Sequence, residues 1–289
     1  MMVFSPLPFC RKQFPMPDFA KIRHVVLDMD GTLYLGGTIF PDTLPFLALL
    51  QRIGISYSFV TNNCSHSRAD YAKHLRHMGI DAPVEAIWTS AHATIAYLRS
   101  EHPQLTRLFV LGTPGLYDEF GQAGFGIVDV EPDAVVVGYD NGLTYDRLAQ
   151  TAYWIAKGLP YVATHPDRVC PTDRPIVLPD CGAICALLES ATGRRPEAVP
   201  GKPSRAMLES VAAAHGLAPH EIAMVGDRLY TDVRMARDAG ALAVLTLTGE
   251  AKQADLDNCN ESERPDVVVN NLSELAKLLE DVRHVRHAR

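Results

Sequence analysis

The chain has 289 residues, room for one large domain or two modest ones, and its 47% hydrophobic and 21% charged content is that of an ordinary globular enzyme, not a disordered or fibrous chain. A net charge of -7 argues against a nucleic-acid binder, which needs a basic face to neutralise phosphates. Small phosphorylated ligands stay open, because a metal ion and one or two cations reverse the sign locally.

Residues 1–21 are proline-rich and lack a signal peptide's apolar core and cleavage site, so they are expected to form a poorly ordered tail. No run of 18 apolar residues occurs, so no membrane span or membrane partner is expected. The six cysteines make no C-x-x-C pair and no zinc spacing. Cys181 and Cys185 read as small apolar residues on one helix face, and the whole set fits a reducing cytoplasm.

His24 to Leu27 is a β-branched, apolar run of the kind buried in a parallel sheet, and it stops at Asp28-Met29-Asp30-Gly31-Thr32. Two carboxylates one residue apart then lie where open α/β sheets place their ligands, outside the carboxyl end of a strand. Gly31 permits the turn, and taken alone a D-x-D-G turn would read the same way. A helix is predicted over 41–53, ended by Gly54, then a strand over 55–60 that stops in Thr61-Asn62-Asn63, and a helix over 66–78. A short strand (86–90) and a helix (91–100) follow.

The middle restarts the pattern. Strands are predicted over 107–111, 134–137 and 161–164, with a helix up to Ala123 and another capped by Thr144 and closed by Gly158. In the last third, Gly201-Lys202-Pro203 precedes a helix with proline in its first turn. A strand over 222–225 runs into Gly226-Asp227-Arg228, a helix over 229–239 closes on Gly240, strands follow at 242–247 and 267–269, and the last helix spans 272–279. Alternating strands and helices call for a Rossmann-like α/β core, a parallel sheet with helices on both faces, plus an inserted α/β cap domain. The expected division is a discontinuous core (22–81 and 180–280), the cap (82–179) and a basic tail (281–289).

Asp28-x-Asp30-Gly-Thr-Leu resembles the first motif of the haloacid dehalogenase superfamily of aspartate-nucleophile phosphotransferases. Thr61, Lys202 and the stretch Val225-Gly226-Asp227-Arg228-Leu229-Tyr230-Thr231-Asp232 resemble the other three motifs, in order. The resemblance implies Asp28 as nucleophile and Asp30 as general acid and base. It implies Thr61 and Asn62 as donors to the phosphoryl oxygens and Lys202 as the cation holding phosphate and nucleophile. Mg²⁺ would be held by Asp28, the Asp30 carbonyl and Asp227, with Asp232 supporting through water or by orienting Lys202, and with Gly31 and Gly226 in supporting turns.

The insert's position, with GYDNGLTYDRL and YVATHPDRVCP, resembles the subgroup of p-nitrophenyl, phosphoglycolate, pyridoxal and nucleotide phosphatases, where a large cap closes over the site. His165, where that subgroup often carries Asn, is expected near the substrate with Asp167 and Arg168; a proline-stabilised loop reads equally well. The implied reaction is hydrolysis of small phosphorylated metabolites, with a cap-mediated homodimer possible in such a family. A phosphomutase with the same chemistry and a non-catalytic binding module remain alternatives. A dinucleotide binder does not, since the first strand ends without G-x-G-x-x-G.

Overall fold

Successive residues of an extended strand face opposite ways, so a run such as Val25-Val26-Leu27 needs apolar cover on both sides. The computed structural model, which describes residues 19–172 and 174–287, supplies that cover twice, around two parallel sheets. In chain order the strands are β1 (His24–Asp28), β2 (Tyr34–Leu35), β3 (Thr38–Ile39), β4 (Ser56–Thr61), β5 (Ile87–Thr89), β6 (Arg107–Leu111), β7 (Gly126–Ile127), β8 (Ala134–Val137), β9 (Tyr161–Ala163), β10 (Val169–Cys170), β11 (Leu178–Pro179), β12 (Ile222–Gly226), β13 (Leu242–Thr246) and β14 (Val267–Val269). The helices are α1 (Thr43–Arg52), α2 (Arg68–His77), α3 (Ser90–Glu101), α4 (Pro114–Gln122), α5 (Tyr145–Ala156), α6 (Cys181–Thr192), α7 (Arg205–His215), α8 (Arg234–Ala239) and α9 (Leu272–His287).

The first sheet has the order β14-β13-β12-β1-β4-β5, every neighbour parallel. Val25, Leu27, Phe59 and Val225 bury one face under α1, α2 and α9, while Val26, Val60 and Met224 bury the other under α7 and α8. From β1 the chain builds outward through β4 and β5, and later from β12 in the opposite direction. The carboxyl ends of β1 and β12 therefore flank the crevice where the strand order reverses, the place α/β sheets offer to ligands. The second sheet, β7-β6-β8-β9, is also parallel. Val110, Val136 and Val162 lie under α3 and α4, and Phe109, Leu111, Val135 and Val137 under α5 and α6.

Several expectations move. β5 pairs with β4 in the first sheet, whereas the sequence places residues 82–89 in the insert. α6 falls in the expected core half (180–280), yet its Cys181, Ile184, Cys185 and Leu188 pack on the second sheet. Residues 197 and 198 also run along β9, with Glu197 N donating to Tyr161 O (2.7 Å) and Ala163 N to Ala198 O (3.1 Å). Apolar periodicity shows that a helix needs a sheet to cover, but not which of two similar sheets it will cover. Pro203 lies before α7, not in its first turn, and follows a cis peptide bond. The single helix predicted over 229–239 is a π-helical turn, Leu229–Val233, followed by α8.

At the ends, Phe19–Lys21 form a 3-10 turn with Phe19 buried in the first core, so the expected tail is structured there; residues 1–18 lie outside the described residues. The expected basic tail continues α9 as far as His287, and 288–289 lie outside the described residues. The described cysteines are all free, and no helix of the described residues is long and apolar enough to cross a membrane.

Candidate functional site

Asp28 is the last residue of β1 and is buried at the crevice. The chain turns at once: Met29 O accepts from Thr32 N (3.2 Å) and Leu33 N (2.8 Å). Gly31 takes φ +93, and a Cβ there would lie 2.4 Å from Asp227 Oδ2, so both backbone conformation and close approach require glycine. The turn brings Thr32 Oγ1 to donate to Asp28 Oδ2 (3.3 Å) and Gly36 N to donate to Asp30 Oδ1 (3.4 Å).

Lys202, 174 residues along the chain from Asp28, reaches the same place. Its Nζ lies 2.5 Å from Asp28 Oδ1 and 2.6 Å from Asp232 Oδ1, with its side chain only 4% exposed. Burial works against the ammonium, but the Asp232 and Asp28 carboxylates outweigh it and hold Lys202 above its ordinary pKa. Asp28 is pushed up by burial, which outweighs the help it receives from Lys202. Asp232 Oδ2 accepts from Arg228 N (3.1 Å), and a Cβ on Gly226 would meet the Asp232 Cγ at 2.3 Å. The orienting role expected of Asp232 thus has its geometry, and Gly226 clears the space.

Asp227 follows β12. Its Oδ2 accepts from Glu250 N (2.7 Å), while its buried Oδ1 has no hydrogen-bond partner among the described residues. Burial first, then the Asp28 and Asp232 charges, push its pKa well up. A buried, unpartnered carboxylate oxygen calls for a partner of opposite charge. Asp28, Asp227 and Asp232 offer oxygens within 4.8 Å of one another, a hard donor set that fits Mg²⁺. Both oxygens of Asp28 and of Asp232 are engaged, so among the three Asp227, with its unpartnered Oδ1, is the readiest ligand. A second group, His165, Asp167 and Asp180, is as close-knit, but His165 pairs with Asp180 and Asp167 is held by Asn62 and Arg228.

That pairing corrects the reading of His165. Its ring is fully buried, with Nε2 2.9 Å from Asp180 Oδ1 and Nδ1 2.8 Å from Thr164 Oγ1, so it has no ring nitrogen left for a ligand. Burial opposes its charge, but Asp180 prevails and raises the pKa well above the ordinary value. Arg168 is exposed and lines a different surface depression. Of the three cap residues singled out, Asp167 alone lines the crevice.

Thr61 and Asn62, at the end of β4, line a small cavity of about 30 Å³ with Asp28, Asp30, Lys202 and Arg228. Thr61 Oγ1 accepts from Asn63 N (3.1 Å), which leaves its proton to donate. The Asn62 side chain, read from sequence only for its backbone amide, is a hub. Its Oδ1 accepts from Lys202 N (2.8 Å), and its Nδ2 donates to Lys202 O (2.9 Å) and to Asp167 Oδ1 (3.0 Å).

Sequence reading missed Arg228 and Glu250. The buried Arg228 guanidinium pairs with Asp167 (Nη1–Oδ2 2.8 Å) and Glu250 (Nε–Oε2 2.9 Å), which joins the second sheet's loop to the first sheet's crevice. A charged residue directly after Asp227 was the available signal for Arg228; nothing local marks Glu250.

Two family models match the chain. Residues 25–126 match "Haloacid dehalogenase-like hydrolase" and residues 199–275 match a HAD-hydrolase-like family. The chain is 33% identical to the ribonucleotide monophosphatase NagD of Escherichia coli over 82% of its own length and 92% of that protein's. It superposes on a 4-nitrophenylphosphatase from Thermotoga maritima with a TM-score of 0.85 and 41% identity, covering 90% of this chain and 98% of that one. A glycerol phosphate phosphatase from Mycobacterium tuberculosis, solved in complex with magnesium, gives a TM-score of 0.82 and 31% identity, covering 91% and 81%.

Proposed function

The chain belongs to the haloacid dehalogenase-like hydrolases, and on that premise we propose that it is a Mg²⁺-dependent phosphatase of small phosphomonoesters acting through an aspartyl-phosphate. The observation that carries the reading is the convergence of Asp28, Lys202 and Asp227, from three distant stretches, in one buried cluster where an Asp227 oxygen has no partner among the described residues. The relatives' named activities, on nucleoside, 4-nitrophenyl and glycerol phosphates, support a small phosphomonoester as substrate.

In this reading Lys202 and Thr32 hold the Asp28 carboxylate in place as it attacks phosphorus. The bond from phosphorus to the leaving oxygen breaks, and Asp30 gives that oxygen its proton. Asp30, now a carboxylate, takes a proton from water, whose oxygen attacks the aspartyl-phosphate and releases inorganic phosphate and free Asp28. Lys202, Arg228 and the Thr61 hydroxyl face the phosphoryl oxygens, so charge is met by groups fixed beforehand. Asp28 and Asp227, with the Asp30 carbonyl, would hold Mg²⁺, which when bound supplies a fixed positive charge at the phosphoryl group. The second sheet acts as a cap: its Asp167 reaches Arg228 and Asn62 over the cavity, which excludes water and limits substrate size.

The test is free phosphate released from a panel of small phosphomonoesters, with Mg²⁺ and with chelator. Metal-dependent release by the wild-type chain and a loss of at least about 10³-fold in Asp28→Asn are expected. Substantial turnover by Asp28→Asn would remove the nucleophile assignment.

A further inference from the structure

The cavity around Asp28 is too small for a whole substrate. At about 30 Å³ it has room for little more than a phosphoryl group, since one water already needs about 10–15 Å³. A second cavity, of about 490 Å³, shares Asp30, Thr61 and Asn63 with it but reaches neither Asp28, Lys202 nor Arg228. Its volume is that of a small-molecule site. Displacement in line puts the leaving oxygen opposite the attacking one, and the residue that protonates it must stand beside it. Asp30 lines both spaces, so the alcohol leaves toward the larger one.

The walls of that space are specific. Its floor holds the buried rings of Tyr34 and Tyr71. His74 meets Tyr34 edge-on at 5.4 Å and His66 meets Tyr71 at 5.8 Å, both imidazoles being exposed at the mouth. Among the described residues no hydrogen bond reaches either imidazole ring. Lys73 stands beside them, 69% exposed and 3.2 Å from Asp70, a surface pair weak enough to yield to a ligand. Partial desolvation of its ring, then the His66 and His77 charges, keep His74 below its ordinary pKa, so near neutrality it offers a ring N–H while Lys73 supplies the charge. In a chain of net charge -7, an aromatic floor under a mouth of one ammonium and the His66, His74 and His77 imidazoles, with Asp70 the carboxylate that the ligand's own anion would replace on Lys73, suits a short alcohol that ends in an oxyanion.

We propose that the cavity between Tyr34, Tyr71 and the Lys73–His74 rim is the leaving-group subsite, and that it selects phosphomonoesters whose alcohol carries a second anion, a carboxylate or a phosphate. This rests on the phosphatase reading, so the test separates the two. Binding of phosphonoacetate and of methylphosphonate to the Mg²⁺-loaded full chain is measured by calorimetry, for wild type and for Lys73→Ala/His74→Ala. Phosphonoacetate binds the wild type at least about tenfold more tightly, and the double variant, with native circular dichroism, brings the two within about threefold. Equal binding of the two by the wild type, or an advantage that survives the double substitution, overturns the subsite. Phosphate release from p-nitrophenyl phosphate is read alongside. Its absence overturns the hydrolase reading by itself, while the binding comparison still decides the subsite.

Discussion

Asp227 carries an electrostatic cost in the metal-free fold. One of its oxygens has a backbone donor and the other has none among the described residues, and the Asp28 and Asp232 charges add to the cost of burial. Removing the negative charge should therefore help the metal-free fold. Asp227→Asn is expected to raise the thermal midpoint of the chelated protein by a few degrees, on the order of 1 kcal/mol. The same variant should lose the stabilisation that Mg²⁺ gives the wild type, which follows from binding to the folded state alone. Thermal unfolding of both proteins with Mg²⁺ and with chelator checks this; a lower midpoint in the chelated variant would show Asp227 to be structurally satisfied.

Among the elements, helix starts show where sequence signals carry energy. Thr144 precedes α5 with extended backbone, and its side chain accepts from Arg147 N at 3.3 Å. Ser204 precedes α7 as an equally good capping residue type, but makes no side-chain cap bond. Thr144→Ala should cost about 1 kcal/mol and Ser204→Ala less than about 0.5 kcal/mol in urea unfolding, since only the first loses a partner for an orphan N–H. The ends of α5 and the limits of β6, β8 and β14 were readable because apolar spacing, a capping threonine and a terminating glycine agree there. The hairpins β2–β3 and β10–β11 were not, since strands of two residues carry no periodicity to read.

Across the whole molecule, acid sensitivity is built into the start of β1. His24 is fully buried, its Nδ1 2.7 Å from Ser56 Oγ and its Nε2 3.0 Å from Ser58 Oγ, with the His215 ring centroid 4.1 Å away. Burial and then His215 lower its pKa from 6.5 to about 3. In the unfolded chain His24 takes up a proton as pH falls through about 6.5, whereas in the fold it stays neutral down to about 3. The stability it contributes is complete above about pH 6.5 and declines below it, by up to about 1.4 kcal/mol per pH unit. Urea midpoints between pH 7.5 and 4.5 should fall less steeply in His24→Gln than in wild type; parallel curves would place the acid response elsewhere.

The sequence by itself determined most of the longer strands and helices and the order of the four motif stretches. Each strand must bury both faces, and its chemistry must wait at its end, so Asp28, Thr61 and Asp227 are marked by apolar runs that stop. Only the tertiary structure decided what meets what. It gave β5 to the first sheet and α6 to the second, took His165 out of the crevice, and joined Asn62 to Lys202 and to Asp167 across 140 and 105 residues of chain. It also set Arg228 on Asp167, 61 residues away. The physical reason is range. Periodicity and capping act between residues a few positions apart, whereas a buried carboxylate chooses its partner from whatever the folded chain brings within about 3 Å.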